Sequence, residues 1–244
     1  MLLVACTIAL AACGAGSGER PRLSSKAEPP GSTTSTTLPS YVSLVATASV
    51  PEVQVFETAT SPAPARTFAN PWLLNDDPDL EVPLVFLVAE RDGEWVKVNL
   101  PERPNGSTGW VRASDVTITQ NRYRIVVELD AHQITVYDGE SILLQEPVAI
   151  GKDATPTPPG VYYLRVLLKA PDPNTVYGPY AYGLSGHSDV LTSFNGGDGE
   201  IGIHGNNDAS VLGTSVSNGC VRMSNEGITR LTGILPLGTP VLVG

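Results

Sequence analysis

Ile201-Gly202-Ile203-His204-Gly205 and Ser217-Asn218-Gly219-Cys220-Val221-Arg222-Met223 are the two stretches around which this chain is organised. The first reads as a short strand that delivers His204 at its end. The second places a cysteine directly behind a glycine, sixteen positions after that histidine. The chain has three cysteines in 244 residues, and Cys6 and Cys13 fall in an apolar N-terminal segment, so Cys220 is the one thiol left for the folded body. A lone thiol framed by glycine, with a histidine to take its proton, suits nucleophilic catalysis.

Working outward, strand-like runs dominate. Ile125–Leu129 and Gln133–Tyr137 are β-rich, and Asp138-Gly139 turns the chain into Ser141–Leu144. Thr157-Pro158-Pro159-Gly160 punctuates before the strand Val161–Val166. Ser224 is a good N-cap for a short helix through Ile228, Leu231 and Leu235, and Thr239–Val243 reads as a terminal strand. Tyr177, Tyr180 and Tyr182 stand in a Gly/Pro-punctuated stretch upstream of His204, either as a mobile cover over the site or as packing tyrosines. His132 is expected at the surface of a strand, and His187, in Ser185-Gly186-His187-Ser188, either makes a loop contact or takes a catalytic role.

A free thiol has a pKa near 8.5, so only a few per cent is thiolate at neutral pH. His204 can act as general base or, as imidazolium, stabilise the thiolate. Gly219 lacks a Cβ and lets a carbonyl approach the main chain, where the Gly219 and Cys220 amides are expected to bind a developing oxyanion.

The combination of His204-Gly205, the Ser217–Met223 run, the Thr-Pro-Pro-Gly turn and the closing Gly-Thr-Pro-Val-Leu-Val resembles the signature of YkuD-type L,D-transpeptidases over about residues 122–244. The resemblance implies a β-sandwich with Cys220 as nucleophile and His204 as its base. Gly219, Asn218, Ser217 and Arg222 would complete the motif, Arg222 holding it together or pairing with a substrate carboxylate. It implies peptidoglycan stem tetrapeptides as substrate, a carbapenem-class β-lactam as covalent inhibitor, and no metal or organic cofactor. Many members have a second histidine where this chain has Asn218, which hydrogen-bonds but does not titrate.

The rest of the chain fits an exported enzyme. Residues 1–12 are apolar and uncharged, too short to span a bilayer, and end in Leu10-Ala11-Ala12-Cys13, which resembles a bacterial lipobox with Cys13 as the lipidated residue. That implies a membrane anchor on the outer face, facing the cell wall, with cleavage by a general secretory signal as the alternative. Residues 13–40 form a Ser/Thr/Pro-rich linker that, extended at about 3.1 Å per residue, would reach on the order of 80 Å. Residues 41–120 form short β runs, with Asp92-Gly93 as a hairpin turn, and Gly109-Trp110-Val111-Arg112 resembles the closing strand of a bacterial SH3-like barrel. Trp72, Trp95 and Trp110 all fall here, as a ligand groove or as barrel core and rim. Residues 121–244 are the catalytic domain. The expected fold is therefore mainly β: a small SH3-like barrel, then a YkuD-type β-sandwich with a short helix after the cysteine.

A formal net charge of -10 without basic clusters argues against nucleic-acid binding. Papain-like peptidases place cysteine before histidine, whereas no histidine follows Cys220. A zinc hydrolase lacks its usual three-ligand spacing. An L,D-carboxypeptidase using water as acceptor and a non-catalytic wall-binding lipoprotein are the remaining alternatives.

Overall fold

The computed structural model describes residues 38–74, 77, 79–193 and 197–244. The signal, lipobox and nearly all of the linker lie outside them. Residues Leu38–Gly244 form one compact unit. Its first half holds β1 (Ser43–Ala48), β2 (Glu52–Val55), β3 (Arg66–Ala69), β4 (Trp72–Leu73), β5 (Glu81–Val82), β6 (Val85–Asp92), β7 (Trp95–Asn99), β8 (Thr108–Arg112) and β9 (Val116–Asn121). Five of these make an antiparallel sheet in the order β8-β7-β6-β1-β9. The alternation in β7 sends Val96 and Val98 into a core with Ala46, Phe86 and Val111, while Trp95, Lys97 and Asn99 stay half-buried. Gly93 takes a positive φ in the tight turn between β6 and β7.

The second half holds β10 (Tyr123–Glu128), β11 (Gln133–Asp138), β12 (Ser141–Pro147), β13 (Ile150–Gly151), β14 (Gly160–Lys169), β15 (Tyr180–His187), β16 (Glu200–His204), β17 (Ser215–Ser217), β18 (Val221–Arg222), α1 (Asn225–Thr232) and β19 (Pro240–Val243). Eight strands form a curled sheet in the order β12-β11-β10-β19-β14-β15-β16-β18. The long strand β14 joins its two parts: Gly160–Tyr163 pairs with β19, and Leu164–Lys169 pairs with β15. A core of Ile125, Ile134, Tyr162, Leu164, Tyr182, Ile203, Met223 and Leu231 fills the curl.

Helix α1 begins where the sequence predicts. Ser224 Oγ accepts the Gly227 amide at 2.8 Å, a cap worth about 1 kcal/mol. The Glu146 carboxylate, at the positive end of the helix, accepts both the Ser224 amide (2.8 Å) and its hydroxyl (2.9 Å). Ile228 and Leu231 are buried; Leu235 is buried too, but beyond the end of the helix.

Strand β15 occupies the Gly/Pro-punctuated stretch in which the sequence offers no strand signal. Its glycines are there to make room: a Cβ on Gly186 would sit 2.3 Å from the Tyr162 ring, and one on Gly183 2.7 Å from Val166. Packing against β14 overrides weak strand propensity. His132 is relocated, to the turn before β11 with φ 49°, where Nε2 meets Ser215 Oγ at 2.9 Å.

The halves share a boundary. Tyr163 of β14 is fully buried against Val45, Val85 and Leu87 of the first sheet. The Asn121 amide donates to Thr239 Oγ1 at 3.0 Å, and the Arg165 guanidinium stacks on Trp72, 3.9 Å from the ring centre. Trp72 thereby joins the halves. Trp95 packs edge-on to Phe56 under Arg112, and Lys97 lies over Trp110.

Candidate active site

Strands β16 and β18 run parallel, with His204 opposite Arg222 and Ile203 opposite Val221. Cys220, one residue before β18, therefore lies beside Gly202, two positions before His204 on the neighbouring strand. Cys220 and His204 line one pocket, together with Ser217, Asn218, Arg222, Tyr177 and Val176. Ser188, Leu191, Gly199 and Glu200 line it as well. Among the described residues, the ring of His204 is held by backbone groups of Gly205 and Val176 and makes no hydrogen bond to the thiol.

The cysteine loop is held from behind. Ser217 Oγ donates to the Cys220 carbonyl (2.6 Å) and accepts the Gly219 amide (3.1 Å). Thr157 Oγ1 donates to the Gly219 carbonyl at 2.9 Å and accepts the Gly151 amide at 2.9 Å. Thr155 Oγ1 reaches the Ser217 carbonyl at 3.3 Å. The Thr-Pro-Pro-Gly turn thus buttresses the loop, a role its sequence signal did not carry for Thr155 and Thr157. Gly219 has φ 116°, a conformation in which residues with a Cβ are strained, while a Cβ there would meet only ordinary contacts beyond 3.5 Å. The expected pair of oxyanion amides is corrected in one member: the Gly219 N–H points back to Ser217.

His204 is buried, and Nδ1 lies 2.7 Å from the Gly205 carbonyl, which makes Nδ1 the protonated nitrogen. Desolvation pushes its pKa down to about 4, opposed by backbone hydrogen bonds to Gly205 and Val176 and reinforced by the Arg222 charge. Burial also pushes the Cys220 thiol up, against a backbone hydrogen bond with Gly202 and the Arg222 charge. Both shifts favour neutral groups, so the resting pair at neutral pH is thiol and imidazole rather than thiolate and imidazolium.

The three tyrosines separate. Tyr177 lines the pocket with its ring 5.0 Å from the His204 ring, in a strap brought close by Gly178, whose φ is 62° and whose Cβ would meet Gly205 Cα at 2.6 Å. Tyr180 is half-buried against the core. Tyr182 is buried, its hydroxyl donating to the Leu231 (3.2 Å) and Leu235 (3.4 Å) carbonyls, so it cannot be a cover. His187 ends β15 in the interior, Nε2 3.0 Å from Asp198 Oδ2. Among the described residues, His187, Asp198 and Glu200 are the group whose ligand atoms lie close enough for a metal. Arg165, however, already pairs with Glu200.

A model of the YkuD L,D-transpeptidase catalytic domain matches residues 122–243, half of the chain, and places this site within it. This chain belongs to that family. The YkuD protein of Bacillus licheniformis is 33% identical over 121 residues, 50% of this chain and 65% of that relative. The YqjB protein of Bacillus subtilis is 37% identical over 101 residues, 39% of this chain and 56% of that relative. The chain thus spans less than two thirds of the length of these relatives. Among solved structures, Bd1075 of Bdellovibrio bacteriovorus is 28% identical with a TM-score of 0.41, covering 51% of this chain and 48% of that one. In this YkuD-family chain the first sheet, residues 43–121, lies outside the matched region.

Proposed function

We propose that this protein is a peptidoglycan L,D-transpeptidase acting through Cys220. The observation that carries the reading is the parallel pairing of β16 with β18, which sets His204 and Cys220 in one pocket beneath a fixed cysteine loop. Neutral His204, its Nδ1–H held by the Gly205 carbonyl, takes the thiol proton through Nε2 as Cys220 Sγ attacks the carbonyl of the third stem residue. The amides of Cys220 and Asn218 are the candidate oxyanion donors, since that of Gly219 is engaged. The C–N bond to the terminal D-alanine breaks, and His204 returns the proton to the leaving amine. An acceptor amine from a neighbouring stem then resolves the thioester; water in its place gives L,D-carboxypeptidase activity. Arg222 lines the pocket and supplies the positive charge nearest both groups, suited to a substrate carboxylate.

The first module supports reading as an SH3-like barrel, given its five-stranded antiparallel sheet and separate core. With the lipobox-like segment, the same reading makes the enzyme an exported lipoprotein facing the wall. Intact-mass analysis of the purified protein with a carbapenem tests the nucleophile. A single covalent adduct on the unmutated protein, absent from folded Cys220→Ala, is the expected result. An unmodified wild type, or equal acylation of the variant, refutes it.

A further inference from the structure

One wall of the pocket that Cys220 lines is held partly by its own hydrogen bonds, from the Ser188 amide to the Gly199 carbonyl and from the Leu191 amide to Ser188 Oγ, and partly from outside the catalytic half. Residues 188–193 and 197–199, between β15 and β16, contribute to it, and three of their carbonyls, those of Ser188, Leu191 and Asp198, converge on one guanidinium. Three carbonyl dipoles aimed together repel unless a donor stands between them. That donor is Arg103, from the turn between β7 and β8 of the first module. Its guanidinium donates to Ser188 O at 2.6 Å, Asp198 O at 2.8 Å and Leu191 O at 3.0 Å. A guanidinium has five donors in a rigid plane and can span three acceptors; an ammonium is a point charge that cannot hold the same fork.

Two residues on, Asn105 secures the base of the loop. Its Oδ1 accepts the His187 amide at 2.9 Å, and its Nδ2 donates to the His187 carbonyl at 2.7 Å and to Asp189 Oδ1 at 3.3 Å. The side-chain amide thus pairs with the main chain as a neighbouring strand would. Within the loop, Gly199 (φ 82°) packs so closely that a Cβ would lie 2.0 Å from the Leu191 carbonyl and 3.0 Å from the Arg103 guanidinium. Ser188, Leu191 and Gly199 line the pocket itself.

We infer that Arg103 and Asn105 are positioning residues for the acyl site, through which the first module sets one wall of the pocket that Cys220 lines. Neither touches the reacting atoms, and both lie outside the stretch that defines the catalytic family. The inference rests on the reading of Cys220 as the acylated nucleophile. It assigns the first module a second task beside any ligand of its own, because Arg103 of that module donates to three carbonyls of the catalytic half.

The test compares two reactions of the same thiol in the full chain. A stem tetrapeptide or carbapenem must lie against the wall, whereas iodoacetamide needs only access to the sulfur. Displacing a positioning wall by about 1 Å can cost on the order of a hundredfold in rate. Arg103→Ala and Asn105→Ala are expected to lower the second-order acylation rate by about tenfold to a hundredfold, mainly through KM, with iodoacetamide alkylation of Cys220 changed less than about twofold. Arg103→Lys is expected to behave like Arg103→Ala, since charge without the fork does not gather three carbonyls. Acylation unchanged in Arg103→Ala and Asn105→Ala, full rescue by lysine, or a parallel fall in alkylation would each overturn the proposal. Failure of the functional reading would show separately, as an unmutated protein that alkylates but never acylates.

Discussion

Ser217→Ala is the sharpest probe of how the cysteine loop is held. The hydroxyl is buried and bridges two main-chain groups, donating to the Cys220 carbonyl and accepting the Gly219 amide. Removing it leaves one buried donor and one acceptor without their partner, at about 1–3 kcal/mol for each group that water cannot reach. Cys220 is half-buried and its carbonyl recovers part of this, so the expected loss is about 2–4 kcal/mol. For a folded unit of this size, about 3 kcal/mol corresponds to a fall in Tm of about 6–12 °C. Thr157 still holds the Gly219 carbonyl, so the loop is loosened rather than lost. The acylation rate of the folded variant should therefore drop by about tenfold or more as Sγ and the Cys220 amide lose their fixed relation. Calorimetry with timed intact-mass acylation measures both. Ser215→Ala serves as the control: its hydroxyl also bonds, to His132, but at the surface, so its effect should stay within about 0.5 kcal/mol. A Ser217→Ala protein within about 2 °C of wild type that acylates normally would refute the argument that this bridge orders the site.

Three further predictions concern ionisation and anchoring. His204 has its folded pKa depressed to about 4 from 6.5, so the unfolded chain binds the extra proton between those values. Its contribution to stability is complete above about pH 6.5 and is lost as pH falls towards 4, by at most about 3 kcal/mol. For the same reason the acid limb of the carbapenem acylation rate should lie near pH 4; a half-maximum near 6.5 would show that the imidazole is not buried as described. In cells, incorporation of a palmitate analogue should disappear in Cys13→Ser, and persistent labelling would reject lipidation at that residue.

Local signals carried much of the site. A strand of alternating Ile201 and Ile203 ending at His204, and a serine cap at Ser224 before helically spaced apolar residues, are statements about a few consecutive residues, and the structure keeps both. Strand β15 was hidden because Gly183 and Gly186 lower strand propensity locally, and their reason, the bulk of Val166 and Tyr162, sits on another strand. Tyr182 read as a possible cover for the same cause: only the pairing of β15 shows which side of the sheet its ring occupies.

The sequence by itself determined the residue types for the chemistry, a single thiol behind a glycine with a histidine upstream, because nucleophile and base are chosen by side-chain chemistry and their order along the chain is fixed. Tertiary structure alone decided the rest. Burial made both groups neutral, the hydroxyl of Ser217 turned the Gly219 amide away from the pocket, and Arg103, more than 100 residues before Cys220, came to hold one wall of that pocket. Desolvation, hydrogen-bond direction and contacts between distant segments depend on where the chain folds back on itself, and no run of consecutive residues encodes them.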